Sequence, residues 1–185
     1  DIVIMGANNY AMGVFNGEFA VISDVDEMPL VRNVTIKKKV GKVTEERTIT
    51  LSWRAVDLVF PDSENQDKVV KGQVLENFLY GDNYLHPDEM RALYIDFKTR
   101  NPQLKTRSEE FKQAIVNDPY FQCLKIKYGY AVTCHKAQGG EWQHVFVALE
   151  PVLFVQDKQF TYRWVYTAIS RAINEVFFLQ NRCLY

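Results

Sequence analysis

The run Tyr130-Ala131-Val132-Thr133-Cys134-His135-Lys136-Ala137-Gln138-Gly139-Gly140-Glu141-Trp142 decides how the rest of the chain is read. Leu124 to Thr133 reads as an apolar strand, and a turn or short helix starts at His135 and passes into Gln-Gly-Gly-Glu. Downstream, His144 to Leu149 is a buried strand, Tyr162 to Ala172 has helical spacing, and Glu175 to Leu179 is a last strand. Strand and helix in alternation imply a parallel α/β sheet. Open sheets of that kind hold ligands at the carboxyl ends of their strands. Glycines at such an end let the backbone approach a phosphate or sugar. Thr133 and His135 offer short polar groups to a phosphodiester oxygen.

A second stretch, Trp164 to Ala172, places Val165, Ala168, Ile169 and Ala172 on one apolar helix face. Arg171 is a cation among small residues near the end of that helix. Taken alone it is an ordinary surface arginine.

Upstream, residues 2–5 read as a strand, Gly6 to Gly17 as a loop rich in Asn and Gly, and Phe19 to Ile22 as a second strand. Val34-Thr35-Ile36, the run Lys37-Lys38-Lys39, Gly41 and Arg47 to Leu51 form a hairpin pattern with β-branched alternation. Val56 to Phe60 is a further strand stopped by Pro61. So many short strands imply a small barrel or curled sheet. Residues 62–122 change character. Val69 to Leu79 has helical spacing. His86-Pro87-Asp88-Glu89 starts a helix that runs to Arg100, with Met90, Leu93, Tyr94 and Phe97 on one face. Ser108 opens another, with Phe111, Ile115 and Val116 inward, and Pro119 ends it.

The chain has 185 residues, 47% hydrophobic and 24% charged, which suits a packed core and excludes global disorder. Its net charge of -1 gives no overall basic field, so a nucleic-acid partner needs a local patch. Cys123, Cys134 and Cys183 are scattered, with no CxxC pair, so a structural metal site is not expected. Sparse cysteines fit a reducing cytosol, and no apolar run reaches the ~20 residues of a membrane span. The chain opens on Asp1 directly before a strand, which suggests a fragment of a longer protein.

Taken together, the Tyr-Ala…Thr…His-Lys…Gln-Gly…Glu run and the later Tyr166-Thr167-Ala168…Ser170-Arg171-Ala172 resemble motifs V and VI of superfamily 1 DNA helicases, in their RecD-like and Dda-like branch. Asn8-Asn9-Tyr10 and Gly13 to Glu18 resemble a segment that precedes an inserted domain in that branch. The resemblance covers residues 1–22 and 124–180. It implies a second RecA-like motor domain, an α/β parallel sheet with helices over 1–22 and 123–185. An SH3-like β insertion would span 23–60 and a helical insertion 61–122. It also implies site roles. Arg171 matches the arginine finger that reaches ATP held by a neighbouring domain, typically worth ~10³–10⁵ in rate. Gln138, Gly139 and Glu141 match the nucleotide-side turn. Thr133, His135, Lys136 and Asn9 are the expected contacts to single-stranded DNA. In the barrel, Lys37, Lys38, Lys39 and Lys42 are candidates for phosphate contacts. Trp53 is a candidate to stack a base, typically ~1–3 kcal/mol, or else a core residue.

The chain has no GxxxxGK[ST] loop, so ATP and Mg²⁺ are expected on the N-terminal RecA-like domain of the same protein, and this segment alone should be inactive. The expected whole is an ATP-dependent helicase moving 5′ to 3′ on single-stranded DNA, cytoplasmic, with no membrane partner. Nuclease or repair subunits are further partners that the resemblance admits. Two rival readings stand beside it: a single-stranded DNA-binding module without catalysis, and a RecD-like subunit of an exodeoxyribonuclease V type complex.

Overall fold

A computed structural model of the chain describes residues 1–41, 43–61, 66–82, 84–149, 153, 155 and 157–179, and in residues 40 and 43 the backbone only. Lys42 and Cys183 lie outside the described residues. The chain divides into two compact units, Asp1–Tyr130 and Ala131–Tyr185.

The first unit is organised by one long strand. β3 (Leu30–Val40) and β4 (Val43–Phe60) form a hairpin whose register runs from Val40 opposite Val43 to Leu30 opposite Trp53. Beyond that point β4 continues, with β2 (Phe19–Val25) on one edge and β5 (Lys68–Leu75) on the other. β1 (Ile2–Met5) pairs antiparallel with β2 and with β6 (Ile126–Tyr128). The sheet curls until β5 meets the chain just before β6. There Val74 and Leu124 form a parallel bridge, with hydrogen bonds Leu75 N to Leu124 O and Leu124 N to Gln73 O.

The strand period of two sorts the side chains. Val34, Ile36, Leu51 and Trp53 are buried from the hairpin, while Thr35, Lys37, Thr48 and Thr50 face outward. Two apolar clusters result. One gathers Val3, Met5, Ala20, Leu58, Val70 and Leu124 inside the curl; the other gathers Ile36, Leu51, Trp53, Leu75, Phe78 and Leu93. α1 (Glu76–Tyr80) and α2 (Pro87–Arg100) cover the second cluster. α2 starts where its sequence signal lies: His86 is the cap, Pro87 opens the helix, and Glu89 closes a capping box. α3 (Glu109–Asn117) starts on Ser108, which accepts from Phe111 N.

A charged network ties α2 to the hairpin and to the chain after α3. Asp96 accepts from Arg32 at 3.1 Å and from Arg100 at 2.8 Å, and Arg100 reaches Asp118 at 2.5 Å. Both guanidiniums also lie over the Tyr120 ring, Arg32 at 4.3 Å and Arg100 at 5.0 Å from its centroid. Burial would push the Asp118 carboxyl upward. Hydrogen bonds from Arg100 and from the Phe121 and Tyr120 amides outweigh it and hold the group below its ordinary value.

The second unit is a strand–helix–strand segment. β7 (Trp142–Val147) and β8 (Ala172–Phe178) pair in parallel, joined through α4 (Lys158–Ile169). Val147, Leu149, Leu153 and Ala168 form its core.

The expected fold class is therefore corrected. The chain does not form a RecA-like parallel sheet with helices. Its strands are mostly antiparallel in one curled sheet, and β7–β8 is the one parallel strand pair among the described residues. The cause lies in the links. A parallel neighbour needs a crossover connection, usually a helix. Instead the chain after β1 folds back on itself through the Asn9–Val14 bridge, and β2 returns antiparallel. Both edges of β1 are then taken by antiparallel partners. Three local expectations also change. Val69 to Leu75 is strand, not helix, because the edge of β4 pairs with it from Phe60 to Trp53; helix begins only at Glu76. Val56 to Phe60 is the end of β4 rather than a separate strand. The strand expected from Leu124 to Thr133 is limited to Ile126–Tyr128.

Candidate functional site

The turn after Ala131 is built by local hydrogen bonds. Ala137 N donates to Thr133 O at 3.1 Å, Gln138 N to His135 O at 3.3 Å and Gly140 N to Ala137 O at 3.2 Å. Thr133 also accepts from Lys136 N through its hydroxyl at 3.4 Å. This single coil leaves Thr133, His135, Lys136, Gln138 and Glu141 exposed. Gly139 has φ +85°, a conformation that costs an L side chain. Gly140 is covered by the Trp142 ring, so closely that a Cβ would lie 2.3 Å from it. The two glycines thus serve different needs, one conformational and one steric.

Helix α4 ends against this turn. Cys134 Sγ donates to Trp164 O at 3.4 Å, and Trp142 N donates to Arg171 O at 2.9 Å. Burial pushes the Cys134 thiol up, and the Arg171 charge opposes that shift.

Arg171 is half-buried at the junction. Nε donates to Thr167 O at 3.2 Å, Nη1 to Gly140 O at 3.2 Å and Nη2 to Ser170 Oγ at 3.1 Å. All three acceptors are neutral, and no carboxylate among the described residues pairs with it. The guanidinium is thus fixed in place at the Gln-Gly-Gly turn with no charged partner among the described residues. Two N–H groups, one on each terminal nitrogen, have no acceptor among the described residues. Chemically this is a preset monocation with two N–H donors to spare, a group able to bind an anion such as a phosphate.

The structure brings Thr133, His135, Lys136, Gln138, Gly139, Glu141 and Arg171 into one unit, on the turn and the adjoining helix end. Asn9 and Trp53 belong to the other unit and are differently employed. Asn9 is buried; its amide donates to Gln122 O at 2.7 Å and accepts from Met12 N at 3.1 Å, so it pins the 6–17 loop. Trp53 is 0% exposed, donates Nε1–H to Tyr120 O at 3.0 Å and meets the Tyr120 ring edge-on. With no free face it stacks no base, and it is assigned to the core. The lysine run is largely answered by acids. Lys37 pairs with Glu46 at 3.0 Å and Lys38 with Asp88 at 3.2 Å, while Lys39 is exposed. Sequence reasoning did not find the acceptors of Arg171. Ser170 and Thr167 carried a signal as short polar neighbours on the same helix end, whereas the Gly140 carbonyl carried none.

A family model described as UvrD-like helicase C-terminal domain matches residues 128–179. The matched span contains the whole turn, α4 and Arg171. It supports a superfamily 1 helicase C-terminal domain over these residues, and with it a helicase-related, DNA-binding motor segment. No curated protein matches the chain. No helix among the described residues is long and apolar enough to cross a membrane.

Proposed function

We propose that the chain is the C-terminal part of an ATP-dependent DNA helicase and that Arg171 is its arginine finger. The observation that carries this reading is the guanidinium held by three neutral acceptors at the turn, inside the helicase-like span. A finger must present charge to a γ-phosphate without rearrangement, and a fixed cation with no charged partner among the described residues meets that need. Gln138, Gly139 and Glu141 fit the edge of a bound nucleotide: two polar side chains on an exposed turn, and a glycine that lets backbone come close. The chain has no GxxxxGK[ST] loop, and ATP and magnesium are assigned mainly to an N-terminal RecA-like domain of the same protein. ATP would supply the phosphoryl transfer; this chain's part is to place the cation and hold DNA. Thr133, His135 and Lys136, exposed on the same turn, are proposed to hold the backbone of single-stranded DNA, with 5′-to-3′ movement as in the RecD-like branch. Because Gly140 carbonyl and Arg171 are bonded, a shift at the nucleotide passes to the DNA-holding residues through one short coil.

The test is ATP hydrolysis by the full-length protein, with and without single-stranded DNA, wild type against Arg171→Ala. Turnover should fall by ~10³-fold or more while nucleotide binding is kept. Equal turnover in both proteins sinks the finger assignment.

A further inference from the structure

Three of the tyrosines that the first unit leaves exposed lie close to one another. Tyr80, at the end of α1, is 69% exposed, Tyr128 on β6 is 41% exposed and Tyr130 is 66% exposed. The Tyr128 and Tyr130 rings are stacked across the end of β6, 6.2 Å apart and 19° from parallel. That spacing is about twice the ~3.4 Å rise between stacked bases. Tyr80 lies beside this pair, 6.5 Å from Tyr128 with its ring tilted by 48°. The pair is anchored from below. Val3 pairs with Tyr128, Gly129 N donates to Ile2 O at 2.9 Å, and the Tyr130 hydroxyl donates to Asp1 at 2.5 Å. A cleft of about 380 Å³ lies alongside, lined in part by Tyr80, Tyr128, Arg54 and Glu76.

We propose that Tyr128 and Tyr130, flanked by Tyr80, form a stacking platform for the bases of single-stranded nucleic acid. The proposal rests on the DNA-binding reading above and supplies the base-stacking surface that buried Trp53 does not. Exposed aromatic faces accept any base, since every base presents a π-face. The charges nearby do not favour phosphate. Arg54 is paired with Glu76 at 2.6 Å, and Asp1 and Asp24 add carboxylates to the cleft. Binding here therefore comes from ring faces, and phosphate neutralisation occurs elsewhere.

That division gives a distinctive test. Full-length wild type, Tyr128→Ala/Tyr130→Ala and Tyr128→Phe/Tyr130→Phe are compared for binding of a labelled oligothymidylate and of an abasic oligonucleotide of equal length, across a range of salt. The alanine variant should lose about 5- to 140-fold in affinity per lost stack, from ~1–3 kcal/mol at ~1.4 kcal/mol per tenfold. Its salt dependence should stay that of wild type, because no phosphate contact has gone. The phenylalanine variant should bind as wild type, and the alanine variant should no longer distinguish thymidylate from abasic strands. Wild-type affinity in the alanine variant, with its circular dichroism unchanged, overturns the platform and leaves the DNA reading standing. Failure of the wild type to bind either strand overturns both. Capture of an arginine-rich peptide in place of oligothymidylate would assign the rings to a basic protein partner and overturn the proposal.

Discussion

Replacing Trp53 by Phe separates a core residue from a base platform. The indole is 0% exposed and its Nε1–H is bonded to Tyr120 O at 3.0 Å. Phenylalanine removes that donor and leaves the carbonyl without its partner in a buried place, a loss of about 1–3 kcal/mol. It also leaves a void of roughly 40 Å³, which at about 24 cal/mol per Å³ costs about 1 kcal/mol. The total is about 2–4 kcal/mol. Urea unfolding followed by far-ultraviolet circular dichroism should show a midpoint lower by about 1–2 M, with oligothymidylate affinity of the folded protein unchanged. A stability loss below about 0.5 kcal/mol would show that the indole is not packed as described. A fall in affinity with stability intact would return Trp53 to the DNA track.

The Arg100–Asp118 pair predicts a pH dependence. Asp118 titrates below its ordinary value of 3.8 in the folded chain, so its contribution is present above that pH and is lost as pH falls through the folded value. Asp118→Asn should therefore be less stable than wild type at neutral pH, and the two denaturation midpoints should converge in acid; a constant gap down to low pH contradicts the pairing. At the turn, Gly139→Ala meets no atom within 4 Å but must keep φ +85°, so it should cost about 1–2 kcal/mol in thermal unfolding of the second unit. Gly140→Ala must displace the Trp142 ring and should change tryptophan emission, whereas Gly139→Ala should leave it alone.

What the sequence disclosed depended on how local each signal was. His86-Pro87 and Ser108 mark helix starts within their own four residues, and both helices begin there. The hairpin around Gly41 was equally readable, from alternation on either side of a turn. The second unit's strand, helix and strand also appear, with α4 starting earlier than its apolar spacing shows because Asp157 caps it through Phe160 N. Sheet partners were not local. Val69 to Leu75 has valines compatible with either period, and the free edge of β4 decided for strand. Likewise β1 and β6 are antiparallel partners more than a hundred residues apart, which no window reveals. At the candidate site, residue types and spacing pointed to the turn and to Arg171. Their joining through the Gly140 carbonyl needed coordinates, because every residue has a carbonyl.

The pairing of β1 with β6 has a consequence for how the protein is made. Val3 and Tyr128 are neighbours across strands, so β1 of this unit, once synthesised, waits for β6, the last strand of the same unit. At ~5–20 residues per second that wait lasts roughly 6–25 s, during which one flank of an apolar Ile-Val-Ile-Met strand is open to other chains. Slower synthesis across residues 30–125 lengthens that exposure.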